Sequence, residues 1–510
     1  MPSISAPKIF NEYTEDRVSI PPNQIKNIAI IGGGASGAVA LDSLLKEQHF
    51  DSITLFERRD KLGGVWCLDE KTIETPNNIL KAGYTHVKTD PQLRNPFHES
   101  TNELISEIVL PKTSQERFEE TPSYQGIKTN IIEKMMTYSD VNSWNTGDTN
   151  PEASKYVNGL VVQQYIDDYI KRNASDSTVD IQFNTTVEDV ERITKNCNDG
   201  NQIPYQFKLT IRKNISDNED LWFQQTFDSI VISIGHYHVP FIPKVDNLDQ
   251  VQSKFPSVVQ HAKFYRNPTP YSGKKVIVVG SRASGADLSK FIADTATEVY
   301  QSIRNLATGA KKLSRKPNVH YKPIIRNYQI IDDQNFKVIF DDDSEVLNPD
   351  HIIYCTGYQF SFPFLNRLFE KDQVDLTKEG IIIPNLYQHT FLIHEPLINF
   401  IGVPIDGVSF RVFEYQAVLL SRFLTSKISL PSRKDQKQWI LERLKSKGIT
   451  RAYHTIGVDD AFVYLNGLVD LGEIKNPSLI TGRHFPSLTQ DDLAIYRAAG
   501  EKLREFWDER

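Results

Sequence analysis

Three glycines, Gly32, Gly34 and Gly37, interrupt the apolar run Ile28-Ala-Ile-Ile and open onto the helix-like stretch Ala38 to Lys46. Glycines at this spacing can hold the pyrophosphate of a dinucleotide. The first allows a tight turn, the second lets backbone approach the phosphates, and the third lets helix and strand pack closely. Ser36 belongs to the same turn, where the unpaired N–H groups of a helix start face the phosphates. Glu57, about 20 residues past Gly37, is placed to accept hydrogen bonds from ribose hydroxyls. A less regular set follows far downstream: Gly280, Ser281, Arg282, Ser284 and Gly285. Arg282 stands where the middle glycine would be, and its guanidinium can meet a pyrophosphate directly. No acid closes the next strand. Arg304 does, roughly 19 residues beyond Gly285, where an arginine can pair with the 2′-phosphate of NADP. Two dinucleotide sites imply redox chemistry: the acid favours FAD or NAD at the first, and the arginine favours NADP at the second.

These residues need elements to hold them. The apolar pattern predicts a buried strand over Asn27 to Gly32, a helix over Ala35 to Glu47 and a strand over Ser52 to Glu57, the βαβ unit of a dinucleotide fold. A second unit is predicted from strand Lys275 to Gly280, helix Ala283 to Ala293 and strand Glu298 to Arg304, closing with strands near Phe336 to Phe340 and His351 to Cys355. Between them, a helix around Val161 to Arg172 precedes strands Asp180 to Asn184, Gln206 to Arg212 and Trp222 to Thr226, read as an antiparallel meander. Phe227 to Ser233 reads as a further apolar strand, ending at Gly235-His236-Tyr-His238, with Pro240 and Pro243 stiffening the exit. Thr89 to Pro122, rich in proline and charge, reads as an irregular excursion. Helical periodicity over Phe410 to Leu424 and Lys434 to Lys445 brings the last third back onto the first unit. The expected fold class is α/β, with two Rossmann-like dinucleotide-binding domains, the smaller inserted into the larger. The boundaries are a loose leader over 1–24, the first part of an FAD-binding domain over 25–240, an NADP-binding domain over 241–356, and the second part of the FAD-binding domain with C-terminal helices over 357–510.

With 510 residues, 39% hydrophobic and 24% charged, the chain can bury more than one core. A net charge of -7 argues against a nucleic-acid partner. The start lacks a signal-peptide pattern and no apolar run is long enough to cross a membrane, so the expected location is cytoplasmic and no transmembrane segment is expected. Three cysteines, Cys67, Cys197 and Cys355, are too scattered for a disulfide framework or a zinc site, and no metal is expected.

Phe255-Pro-Ser-Val-Val-Gln-His261-Ala-Lys-Phe-Tyr265 matches the identifying sequence Phe-x-Gly-x-x-x-His-x-x-x-Phe/Tyr, with Ser257 in place of its glycine. On this segment and both glycine turns the chain resembles the flavin-containing monooxygenases from about Lys26 to about Leu465, most of all their fungal members. The segment Leu62-Gly63-Gly64-Val65-Trp66 is similar to the one with which many flavoproteins approach FAD. Tyr124-Gln-Gly-Ile-Lys-Thr129-Asn130 is similar to the family segment whose asparagine lies beside the flavin, with Ile132 where the family usually has proline. The resemblance therefore implies FAD bound by Gly32, Gly34, Ser36, Gly37, Glu57, Gly64, Val65, Trp66, Thr129, Asn130 and Gln416, with Asn130 the catalytic candidate. It implies NADPH bound by Gly280, Ser281, Arg282, Ser284, Gly285 and Arg304. The implied reaction is transfer of oxygen from O2, through an FAD C4a-hydroperoxide, to a small thiol, sulfide or amine. Peripheral attachment at the endoplasmic reticulum surface and a homodimer stay open. Three other readings share much of this plan. A flavin-binding NADPH oxidase or redox sensor is motivated by Ser257, Arg282 and Ile132. A Baeyer–Villiger monooxygenase would show His-x-x-x-Trp-Pro instead of His261-x-x-x-Tyr265, and a disulfide reductase would need a cysteine partner near Cys67. His236, His238 and His261 read as structural histidines, His261 as a link between domains.

Overall fold

The computed structural model describes residues 15–69, 75, 79–80, 92–98, 106–113, 119–147, 156–195, 202–306, 316–371, 376–377 and 379–508. Continuous apolar runs form strands covered on both faces, the environment of a parallel sheet. Asn27–Ile31 is central in a seven-stranded sheet, flanked by Ser52–Phe56 and Ser229–Ile232. Val179–Gln182 and Ile398–Phe400 extend the parallel array on either side, and Leu386–Tyr387 with Phe391–Leu392 adds an antiparallel edge. Ile28, Ile30, Ile53, Leu55 and Ile230 are fully or almost fully buried. Helix Ala35–Leu45 packs against helix Ser409–Leu424, so the C-terminal third does cover the first unit.

The chain builds a second parallel sheet between Ser229–Ile232 and Leu386–Tyr387. Its order is Val259–His261, His351–Tyr354, Lys275–Val279, Glu298–Ser302 and Val319–Lys322, with helix Ala283–Ile292 following the glycine turn. The fold class is thus the expected one, a mixed α/β chain with two Rossmann-like sheets. Where the chain passes between the sheets, Val239–Pro240 pairs antiparallel with Tyr358–Gln359. His261 is buried; its Nδ1 accepts from the Lys263 N–H and its Nε2–H donates to the Gly357 carbonyl at 3.0 Å, a satisfied structural histidine.

Four local expectations are corrected. The meander does not begin at Asp180 to Asn184: Val179–Gln182 is an edge strand of the first parallel sheet, and Asn184, in the left-handed region at φ 55°, turns the chain into Thr185–Thr194. The antiparallel sheet then runs Glu107–Pro111, Glu219–Phe227, Tyr205–Asn214 and Thr185–Thr194. Its edge strand Glu107–Pro111 lies inside the stretch read as irregular, because pairing with Glu219–Phe227 overrides weak local propensity. The described part of the leader is tied down, with Arg17–Val18 paired to Leu430–Ser432 and Ile20 buried, while residues 1–14 lie outside the described residues. Phe336–Phe340 belongs to a separate three-stranded antiparallel sheet with Ile325–Ile330 and Glu345–Leu347, not to the second parallel sheet. Cys197 lies outside the described residues.

Candidate active site

At the end of Asn27–Ile31 the backbone turns through Gly32 at φ 108°, and a Cβ there would stand 2.6 Å from the Ser233 carbonyl oxygen. Helix Ala35–Leu45 begins at Gly34 with no side-chain cap and no acid in its first turn. Its first N–H groups are therefore left for an external acceptor, which the macrodipole favours as an anion. Glu57 closes the next strand, buried, with Oε2 accepting from the Gly33 N–H at 2.8 Å and Oε1 from the Arg59 N–H at 2.9 Å. Burial holds its carboxyl above the ordinary value, against the pull of those two N–H groups.

A cavity of about 460 Å³ opens over this turn. Of the expected FAD residues, Gly32, Gly34, Ser36, Glu57, Gly64, Val65, Trp66 and Asn130 line it. Gly64 lies directly over Gly34; a Cβ on Gly64 would come 2.9 Å from the Gly34 Cα, so two bare backbones form one wall of the cradle. Gly37, Thr129 and Gln416 stand behind the wall. Thr129 is fully buried and exchanges two bonds with Val157, donating its N–H at 2.9 Å and accepting on Oγ1 at 3.0 Å, which fixes the loop that presents Asn130. Gln416 does not face the cavity. It is buried and accepts from the Gly402 N–H at 3.1 Å, so it braces Gly402, which does line the wall. Asn130 is not a helix N-cap; the short helix Glu133–Met136 starts behind Ile132. Ile132 has φ -65°, the angle proline would impose, so its departure from the family pattern needs no change of backbone. Ser257 likewise sits in an exposed turn outside the left-handed region, closed by the Val258 N–H to the Phe255 carbonyl.

The second turn reaches this cavity only through Ala283. Gly280, Ser281, Arg282, Ser284 and Gly285 run along the start of helix Ala283–Ile292, which also lacks a side-chain cap. Gln301 braces the turn, donating to the carbonyls of Gly280 at 2.8 Å and Gly285 at 3.1 Å. Arg304 lies exposed two residues past strand Glu298–Ser302. Arg282 is exposed and its Nη1 donates to the Asp406 carboxylate at 2.9 Å. The residues present fit two dinucleotides: each turn offers uncapped helix N–H groups, one backed by a buried acid and the other flanked by arginines.

His236 and Asp406 are among the cavity residues that were not assigned from the sequence. His236, expected as structural, is buried in the wall beside Phe360 and Tyr237, and burial pushes its imidazole down to about 4. Asp406 belongs to the loop Gly402-Val-Pro-Ile-Asp406-Gly407, whose Gly and Pro punctuation was the one available sign. Cys67 donates its thiol to the Leu62 carbonyl and is pushed up to about 12 by burial, the environment of an inert thiol. No helix among the described residues is long and apolar enough to cross a membrane.

The flavin-binding monooxygenase-like family model matches residues 112–324 and 319–481, and an NAD(P)-binding Rossmann-like domain model matches 30–99. Flavin-containing monooxygenase FMO GS-OX-like 6 of Arabidopsis thaliana is 29% identical over 446 residues, covering 85% of this chain and 80% of that protein. Flavin-containing monooxygenase ustF2 of Aspergillus flavus is 24% identical over 479 residues, covering 86% and 91%. Among solved structures, S-allyl-L-cysteine S-oxygenase from Allium sativum superposes with a TM-score of 0.68 at 22% identity, over 94% of this chain and 93% of that one. Tmm from Pelagibacter sp. gives 0.66 at 20%, over 94% and 91%. The chain belongs to the flavin-binding monooxygenase-like family, oxidoreductases with FAD and NADPH as cofactors and with O2 and a small molecule as substrates.

Proposed function

We propose that this protein is an NADPH- and O2-dependent monooxygenase that oxygenates soft nucleophiles: thiols, sulfides and amines. The observation that carries the reading is the single cavity on which the first glycine turn, Glu57, Gly64 to Trp66, Asn130 and the first helical residue of the second glycine turn converge. FAD would lie in the part of this cavity formed by 25–240 and 357–510, and NADP against 241–356. FAD reduced by NADPH supplies the oxygen-activating chemistry when bound. The chain's part is to hold, orient and dry. The helix start at Ala35 takes the FAD pyrophosphate, and Glu57 accepts from the ribose. Asn130, on a loop pinned by Thr129, presents its amide to the reacting end. Trp66, Met136, Phe410 and Phe413 make that end apolar, which excludes water and admits small, weakly solvated nucleophiles. The name of the Allium sativum enzyme supports sulfur as one acceptor.

The test is NADPH- and O2-dependent oxidation of cysteamine, a dialkyl sulfide and a tertiary amine, with product, NADPH and hydrogen peroxide all counted. Wild type should oxygenate at least one of them with little peroxide. Asn130→Ala should consume NADPH normally but form product about tenfold less efficiently, the difference appearing as peroxide. Full coupling in Asn130→Ala would remove Asn130 from the chemistry. Wild type returning all O2 as peroxide would favour the oxidase or sensor reading.

A further inference from the structure

Arg282 replaces a glycine at the start of a dinucleotide-binding helix, and its guanidinium does not simply extend into solvent. It crosses to Asp406, which stands on the wall of the main cavity and belongs to the loop that Gln416 braces from behind. Asp406 is not a loose surface acid. Its backbone is in the left-handed region at φ 49°, and its carbonyl accepts from the Gly457 N–H at 2.6 Å. The preceding Ile405 is tied on both sides, its N–H donating to the His454 carbonyl at 2.9 Å and its carbonyl accepting from the Ile456 N–H at 3.1 Å. The carboxylate is therefore presented by a fixed backbone. The nearby Arg451, which lies within electrostatic reach of both Arg282 and Asp406, has its Nη1 engaged with the Thr356 carbonyl at 2.9 Å. Arg282, 79% exposed, is the guanidinium at this mouth with room to change partner.

A fixed carboxylate on the wall of a cavity that takes anionic cofactors works against binding, unless its charge is compensated. We propose that Asp406 and the pyrophosphate of NADP compete for the Arg282 guanidinium, so that Asp406 weakens the hold on the nicotinamide cofactor and sets its affinity. The proposal rests on the reading of Gly280 to Gly285 as the NADP turn. It assigns Asp406 as an affinity-determining residue: binding transfers the guanidinium from one anion to the other, with no covalent change. Both partners are largely solvent-exposed, so the pair is weak and the expected effect modest.

The experiment titrates NADP⁺ into FAD-loaded wild type, Asp406→Asn, Arg282→Ala and the double variant by calorimetry, with melting temperatures recorded to check folding. Asparagine is the conservative choice because it tolerates the left-handed backbone of Asp406. Asp406→Asn should tighten NADP⁺ binding about two- to five-fold, and Arg282→Ala should weaken it. In the Arg282→Ala background the gain from Asp406→Asn should fall to half or less, because only general repulsion is then relieved. An equal gain in both backgrounds would mean repulsion without exchange and overturns the proposal. So would weaker binding by Asp406→Asn, which would mean that Asp406 orients Arg282 for the phosphate. Wild type that holds FAD but does not bind NADP⁺ at all would instead defeat the two-cofactor reading, and this inference with it.

Discussion

The two glycine turns have nearly the same skeleton and differ in what lies above them. Gly32 and Gly280 both take positive φ, 108° and 123°, and a Cβ on either would press on a carbonyl of the neighbouring strand's end, Ser233 at 2.6 Å or Cys355 at 2.7 Å. Gly37 and Gly285 both pack on the carbonyl of the first glycine, leaving 1.9 Å and 2.4 Å for a Cβ. The middle positions match as well: Gly34 has φ -89° and ψ -168°, and Arg282 has -82° and -172°. That is extended backbone open to any residue. Glycine at the middle position is thus demanded by neighbours and not by torsion. Over Gly34 lies Gly64, and a side chain would fill the cradle; over Arg282 the space is open to solvent.

The sharpest way to break this comparison is to add the same methyl to each turn. Gly37→Ala sets a Cβ against the Gly32 carbonyl and should cost on the order of 3 kcal/mol, with flavin lost during purification. Gly285→Ala meets the corresponding clash at Gly280 and should keep its flavin while losing reduction by NADPH. The flavin-to-protein ratio from absorbance and anaerobic reduction by NADPH read the two effects separately. If Gly285→Ala also purifies without flavin, the turns are not independent sites.

That parallel was largely legible in the sequence, because the glycine spacing, the apolar run before it and the helix after it are local signals. What was not legible depended on partners distant in the chain. Thr185–Thr194 carries the buried polar residues Glu188, Asp189 and Arg192, which blur its period-two alternation. They are tolerated because Arg212 pairs with Glu188 at 2.8 Å and Arg192 with Glu395 at 2.7 Å, and no single segment reveals such pairs. Asp406 was marked only as part of a Gly- and Pro-punctuated loop for the same reason: its pairing with Arg282 joins residues far apart in sequence. Gln416 was placed one layer too far forward, since helical periodicity gives its face but not whether Gly402 stands between it and the cavity.

A smaller effect comes from two of the buried histidines, His236 in the first turn's cavity wall and His261 beneath the crossing to the second sheet. Burial pushes His236 from 6.5 down to about 4 and His261 down to about 3. Each is held neutral in the folded state while the unfolded chain takes up a proton below about 6.5. Their stabilising contribution is therefore present above pH 6.5 and lost as pH falls from there through the folded values. For His236 the window of about 6.5 to 4 corresponds to on the order of 3 kcal/mol. Urea unfolding at a series of pH values should show stability falling across that window, and His236→Gln should flatten the slope. An unchanged slope in the variant would mean that His236 titrates normally.

The least effect is expected where the two units differ most, at the ends of their second strands. Glu57 is buried and bound on both oxygens to backbone N–H groups, so it is part of the turn's own framework. Arg304 is exposed, and any contact it makes with a 2′-phosphate is partly screened by solvent. A charge-assisted contact of this kind is worth about 1 to 1.5 kcal/mol, so Arg304→Ala should raise KM for NADPH about tenfold. NADH, which lacks the 2′-phosphate, should be used as before, and the flavin content should not change. The ratio of kcat/KM for NADPH over NADH in the two proteins isolates the contact, because any general damage to the second turn would lower both values together. A ratio that stays constant would move phosphate recognition away from the strand end and toward Arg282, making the second turn, unlike the first, a site that binds mainly through the residue in its middle position.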